Sequence, residues 1–410
     1  MTYDAIVVGA RCAGSPTAML LARQGYRVLL VDRASFPSDT MSTLVIHAPG
    51  VAALRRWGLL DDLVSTGCPV VGPYSFDFGP VVISGRPHPH DGVGDAYAPR
   101  RTVLDKLLVD AAAAAGVEVR ERFTVEEVVA DDGVVTGIRG HGDGGRSVVE
   151  RARVVVGADG WNSRVARAVG AEQYHQKPVL EHAFYTFWSG LPIGAFATFL
   201  RGDRGMAAIP THDGLTLVLV GCPFAQAGAF RADVEASYWA ALDRAPELAE
   251  RVRAATREER FVGGGVPNFF RTPFGPGWAL VGDAAYTKDP VTAQGISDAF
   301  RSAEWCAGAL DDAFAGRRPF AQAMAAYQQA RDAHALPIYD FTTQLATLEP
   351  PPPEMQELIG AMAGNQAAMD GFVSVVAGTL SPAVFFDPAN LASMMGPAPA
   401  VAAPAGDSGP

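Results

Sequence analysis

Cysteine is scarce and scattered. The four present, Cys12, Cys68, Cys222 and Cys306, form no CxxC pair. Neither a zinc site nor a disulfide framework is indicated, and a reducing cytoplasm fits. Basic charge is also short: Lys and Arg number 33 against 44 Asp and Glu, a net charge of −11. A nucleic-acid partner would need a basic face to neutralise phosphates, so that class is excluded, and anionic membranes are disfavoured. No stretch of about 20 apolar residues occurs, so no membrane span is expected. The opening MTYDAIVVGA is a short apolar run without a basic lead and does not read as a signal peptide. Neither a metal-spaced His cluster nor a Ser–His–Asp constellation stands out. A cytoplasmic protein is expected, as a monomer or homodimer.

Apolar material is plentiful, at 49% of 410 residues. At roughly 150 residues per domain that is two or three domains. Residues 3–9 read as a buried strand ending at glycine. GSPTAMLLARQG follows as a helix with Pro16 in its first turn and Gly25 at its end, and YRVLLVDR as a second strand. TVLDKLLVDAAAAA (102–115) is a helix whose Thr102 and Asp105 resemble a capping box. Strands with a turn at Asp132-Gly133 come next, then a buried strand at 153–158. Residues 171–268 change character: short aromatic β segments predict a separate sheet. WALVGDAA returns to the buried-strand pattern, and helices run from ISDAF to about residue 346, where EPPPP breaks them. One or two more helices are expected, then an Ala/Pro-rich tail from Gly396 that reads as disordered.

The first turn, GARCAG, places Gly9 and Gly14 in the outer positions of a GxGxxG dinucleotide fingerprint, with Arg11 in place of the middle glycine. Arg11 fits if its side chain points away, and its guanidinium can add charge near phosphates. Cys12 and Ala13 are small enough for the turn. Asp32, with Arg33 beyond it, ends the second strand about 20 residues after the turn, where an acid accepts from ribose hydroxyls. A Gly-rich turn holding no ligand is the plainer alternative.

Two further segments, VVVGADGWNSRV (154–165) and WALVGDAAYTKDPVTAQG (278–295), complete a pattern. With them the chain resembles the FAD-dependent class A aromatic hydroxylase superfamily, which also includes flavin-dependent halogenases and geranylgeranyl reductases. The resemblance covers most of residues 1–345. It implies an α/β fold of the glutathione-reductase-2 type. A Rossmann-like FAD-binding domain (1–70, 96–170, 269–330) would interleave with a β-rich substrate domain (71–95, 171–268), and a helical segment (331–395) and the tail (396–410) would follow. It also implies FAD contacts at Asp159 and Gly160, at Gly282 and Asp283, at Pro290 and Gly295 beside the flavin ring, at Val125, and at Arg101, with Arg100 as competitor. TAQGIS runs into a helix, so N–H groups at Gly295 and Ile296 can face the flavin pyrimidine, which is anionic when reduced. Asp283 could instead be a helix-cap acid and Asp159-Gly160 a simple turn.

The resemblance further implies NADPH or NADH as transient reductant. It implies a monooxygenase that hydroxylates or epoxidises an aromatic or polyketide-like molecule through a flavin hydroperoxide. A reductase of prenyl-type double bonds and a non-catalytic flavin carrier are the alternatives. The halogenase WxWxIP segment and active-site lysine are missing; the only early lysine is Lys106. The reductases' YxWxFP pattern is replaced by Met206, Ala208, Ile209 and Pro210. Tyr185, Phe187, Phe196, Met206 and Ile209 are candidate substrate contacts, equally readable as sheet core. Alternation puts Phe184, Thr186 and Trp188 on one face and Tyr185 and Phe187 on the other. His47 or Ser42 could orient a substrate hydroxyl or shuttle its proton; a loop histidine bonded to backbone is the alternative. The apolar segment 364–391 is expected to pack in the core.

Overall fold

The structure, a computed structural model, describes residues 2–395; the expected tail at 396–410 lies outside them. Strand Thr2–Val8, helix Gly14–Arg23 and strand Val28–Val31 form the opening β–α–β unit. The two strands pair in parallel, Ala5 opposite Val28 and Val8 opposite Val31. Strand Ser147–Gly157 adds to the other side of the first strand, and Trp278–Leu280 adds beyond it, both parallel. Glu118–Arg120 closes the far edge. These strands are short apolar runs because both faces are buried, one under helices and the other mainly under strands Thr124–Asp131 and Val134–His141. Helix Arg101–Ala114 packs beside the first helix.

A second sheet lies across the cleft from the first. Its strands run in the order Thr256–Arg257, Glu181–Ser189, Thr216–Pro223, Arg204–Pro210, Phe196–Arg201, Tyr74–Asp77 and Val82–Gly85. The middle region is not purely β. Helices Ala227–Ala232, Val234–Leu242 and Pro246–Arg253 cover the sheet's far face with Tyr238, Leu242, Leu248 and Val252. Helix Gln366–Val376 covers part of the near face, where Phe372 meets Phe76 edge-on at 5.5 Å. The 364–391 segment thus packs as core. Helices Gly295–Phe314 and Phe320–Leu345 pack on each other and carry the chain back along the first sheet. All four cysteines are free and buried. No helix among the described residues is long and apolar enough to cross a membrane.

Candidate functional site

One cleft of about 750 Å³ runs between the two sheets. Most of the residues expected at a dinucleotide site line it: Gly9, Arg11, Cys12 and Ala13, Asp32 and Arg33, Arg101, Val125, Asp159 and Gly160, Gly282 and Asp283, and Pro290, Gly295 and Ile296. Gly14 lies just beneath, where an added Cβ would overlap the Gly9 carbonyl oxygen. Gly9 itself has φ of +105° and no room for a Cβ beside Ala158. The turn is therefore closed by backbone against backbone, and helix Gly14–Arg23 starts directly at the cleft. Its first N–H groups lack intrahelical acceptors and favour an anion.

Arg11 is compatible with the turn because its side chain leaves it. The guanidinium bonds Asp105 at 2.5 Å and the Ser38 hydroxyl at 2.8 Å. Asp105 is fully buried and also holds Arg101 through contacts of 2.9–3.1 Å, while Cys12 Sγ lies 3.4 Å from it. Asp105 is thus no capping-box acid: the helix begins without a side-chain cap. Burial costs the Arg101 cation, but the carboxylate beneath more than compensates and holds it firmly protonated. Arg100 turns away, stacks over Phe187 at 4.0 Å and pairs with Glu259 at 2.7 Å.

Asp32 accepts from the Ala10 N–H at 2.7 Å and the Ala34 N–H at 2.8 Å, so it braces the turn from the strand end. Asp159 accepts from Ser163 Oγ and from the N–H groups of Arg164 and Val165, and so caps the short helix that follows. Both acids have local structural work as well as a place on the cleft wall. Asp283 differs. Its carboxylate opens into the cleft and makes no hydrogen bond among the described residues. The cleft walls, partly desolvating a carboxylate that still meets solvent, push it up to about 6, with Arg101 and Lys288 opposing. A raised carboxyl favours the folded state when protonated, so it costs stability as pH climbs from about 4 through 6. In the FAD-free chain, Asp283→Asn should therefore raise stability at neutral pH by about 1 kcal/mol, discounted for water in the cleft. Below pH 4 it should change nothing; urea unfolding at both pH values checks this.

Helix Gly295–Phe314 also begins at the cleft. Gln294 sits at its N-cap and spends its side-chain amide on the Val376 carbonyl at 2.7 Å, not on the helix. At Gly295 an added Cβ would meet nothing, so that glycine leaves open space in the cleft.

His47 is fully buried and lies off the cleft. Its Nδ1 is 2.7 Å from the Tyr74 hydroxyl and its Nε2 is 3.0 Å from the Thr292 carbonyl. A carbonyl only accepts, so Nε2 carries the proton and Tyr74 donates to Nδ1. Both ring nitrogens are spent on structure, which leaves none for the substrate-proton shuttle expected above. Burial lowers the ring to about 4. A depressed histidine contributes stability above pH 6.5 that fades as pH falls toward 4. That contribution should be about 3 kcal/mol and should be missing in His47→Ala, read from urea unfolding across the interval. Ser42 does line the cleft; its N–H donates to the Tyr185 hydroxyl at 3.3 Å.

Of the expected substrate contacts, only Tyr185 lines the cleft, beside Ala183, Leu219, Gly264 and Val266. Met206 is on the opposite face, packed with Phe184 and Trp188 under the helices, because it sits one residue out of phase with Ala207 and Ile209. Phe187, Phe196 and Ile209 are on the near face but fill its core; Phe196 packs 5.1 Å from Tyr74. Aligned on Pro210, the aromatic positions of YxWxFP fall at Gly205, Ala207 and Ile209; Ala207 and Ile209 are on the near face, so the departure leaves smaller side chains there, while Met206 and Ala208 face the helices. Lys106 is half-buried and pairs with Asp110, away from the cleft. Residues that the sequence did not single out also line the cleft, among them Trp161, Arg164, Lys288, Asp289 and Arg301.

Two helix N-termini, a bare carboxylate and a braced Gly-rich turn facing one elongated cleft define a dinucleotide-cofactor protein. The chain belongs to the FAD binding domain family, which matches residues 2–342. Digeranylgeranylglycerophospholipid reductase 2 of Methanopyrus kandleri is 29% identical over 324 residues, covering 72% of this chain and 74% of that protein. The myxobacterial chondrochloren halogenase CndH, described as a new variant of FAD-dependent halogenases, superposes with a TM-score of 0.79 at 25% identity over 96% of both chains. Pseudomonas aeruginosa PqsL, solved with 2-aminobenzoylacetate, gives a TM-score of 0.75 at 25% identity over 88% of this chain and 99% of that one.

Proposed function

We propose that this flavin-dependent oxidoreductase is a monooxygenase acting on a compact aromatic or polyketide-like molecule, with NADPH or NADH as reductant. The size of the cleft carries the reading. About 750 Å³ is the room of a single small-molecule site, and FAD takes much of it. A ring substrate would lie under Tyr185 and Leu219, on the near face of the second sheet. The turn at Gly9–Ala13 and the following helix end would hold the pyrophosphate, Asp32 the ribose and Asp283 the ribityl hydroxyls. The N–H groups of Gly295 and Ile296 would face the pyrimidine. The bound flavin supplies redox chemistry with dioxygen; the protein orients the substrate and excludes water. PqsL, which has been described as a probable FAD-dependent monooxygenase, supports the reading.

The identity to a digeranylgeranylglycerophospholipid reductase favours a second reading, saturation of a carbon–carbon double bond. Stopped-flow mixing of the reduced, FAD-loaded protein with dioxygen separates the two. Oxygenation predicts a transient species absorbing between the reduced and oxidised spectra; direct slow reoxidation without it supports the reductase. A protein that neither carries nor takes up FAD would sink both.

A further inference from the structure

The cleft continues along helix Gly295–Phe314 to a cluster of unused hydrogen-bond donors. Arg301 and Trp305 stand one turn apart on that helix, and His334 faces them from helix Phe320–Leu345; all three line the cleft. Arg301 Nη1 lies 2.6 Å from His334 Nε2. The His334 and Trp305 rings cross at 73° with centroids 5.8 Å apart, and the Arg301 guanidinium carbon is 6.0 Å from the Trp305 ring. A guanidinium only donates, so Nε2 accepts and Nδ1 carries the imidazole proton. Burial lowers the His334 ring to about 4, and Arg301 adds to the effect, so the ring is neutral.

The guanidinium is thus fixed by one nitrogen, and its other edge is bare. Nε and Nη2 bond nothing among the described residues, and neither is sealed off by protein. The same is true of the His334 Nδ1–H and the Trp305 indole N–H. The nearby acids are already engaged. Asp298 stands 3.9 Å from Nη1 but pairs closely with Lys288. Glu304 is held by Arg56 at 2.8 Å and by the Trp57 indole N–H at 3.0 Å. Burial presses the Arg301 cation below its usual value, with Asp298 and Glu304 opposing. A largely buried cation without a close counter-charge is relieved by an anion. Nε and Nη2 together are the fork that meets two oxygens of one carboxylate or phosphate.

We propose that Arg301, with Trp305 and His334 beside it, forms an oxyanion-binding subsite of the cleft that takes the carboxylate or phosphate of a small-molecule ligand. Arg301 lies six positions past Gly295, about 9 Å along the helix axis. An acid group held there sits that far from the helix end assigned to the flavin pyrimidine. The inference rests on the flavin-site reading for that distance alone. One chemistry has two sources here: a phosphate of the nicotinamide dinucleotide, or an acid group on the substrate. His334 is a positioning residue, since it anchors Nη1 and so turns the free edge of the guanidinium to the cleft.

Calorimetric titration of the FAD-loaded protein at low ionic strength, with inorganic phosphate and separately with benzoate, tests the subsite. The parent is expected to bind at least one of these probes, and Arg301→Gln to bind it about tenfold more weakly. Arg301→Lys keeps the charge without the fork and should fall between them. Trp305→Phe keeps a ring, drops one donor and should weaken binding about threefold. Failure of the parent to bind either probe, or equal affinity in the parent and Arg301→Gln, overturns the proposal. So does an Arg301→Gln protein that sheds FAD while its FAD-free form unfolds at the parent's urea concentration, because Arg301 then holds the cofactor. If Arg301→Gln does not fold, Arg301→Lys and Trp305→Phe carry the test, and parental affinity in both overturns it. Tighter phosphate binding, with flavin reduced faster by NADPH than by NADH in the parent but not in Arg301→Gln, assigns the anion to the reductant. Tighter benzoate binding assigns it to an acidic substrate. Failure of the oxygenation reading shows separately, as reoxidation without a transient while these affinities stand.

Discussion

Replacing Asp105 with alanine should unfold the protein more readily by about 3–5 kcal/mol and strip it of FAD. The size of the effect follows from what the carboxylate holds. Arg101 is buried and makes three contacts to Asp105, and Arg11 approaches the same group from the Gly-rich turn. With the acid gone, a buried guanidinium loses its counter-charge, and the turn loses the tether that draws Arg11 away from the space above it. Asp105→Asn keeps an acceptor and should cost less. Urea unfolding of the FAD-free protein gives the first number and flavin absorbance after desalting gives the second. A variant within 1 kcal/mol of the parent that keeps its full flavin content would contradict the assignment.

Gly14→Ala and Gly295→Ala should part company in the same two measurements. At Gly14 the new methyl meets a backbone oxygen, which cannot rotate aside, so the turn must open. A cost of about 1–3 kcal/mol is expected even without cofactor, together with loss of FAD. At Gly295 the methyl meets no protein atom, and the position is the first of a helix. Stability of the FAD-free protein should hold or rise slightly, since alanine is the better helix former. FAD affinity should fall, because the methyl occupies the cleft. Equal losses of stability in the two variants would show that Gly295 is constrained by the protein and not by its ligand.

Much of the site was legible because its parts are local. A strand, a glycine turn and a helix are read within 25 residues, and the segments around Asp159 and Asp283 are equally compact. Partnerships over long separations were not legible. Arg101 and Asp105 are one helical turn apart, but Arg11 reaches that acid across 94 positions. His47 reads either as a proton shuttle or as a loop histidine bonded to backbone; the Thr292 carbonyl bears out the second, but Tyr74 and Thr292, which occupy its nitrogens, lie 27 and 245 positions away and were not legible. Alternation sorted Tyr185 from Phe184 correctly into two faces, yet period two does not say which face meets the cleft. The helices around Tyr238 and Leu248 decide that, and they were missed because VEASYWAAL is apolar on nearly every side and shows no stripe. Met206 was misplaced for the same reason.

The Gln294 amide reaches the Val376 carbonyl, and the first glycine of the cleft is residue 9. The site is therefore tied together across nearly the whole length of the chain. A ribosome makes the turn at Gly9 long before the Val376 carbonyl that fastens the loop ahead of Gly295. Until then the loop lacks its clasp. A chain cut short before residue 376 carries every glycine of the site without the anchor that holds its last loop in place.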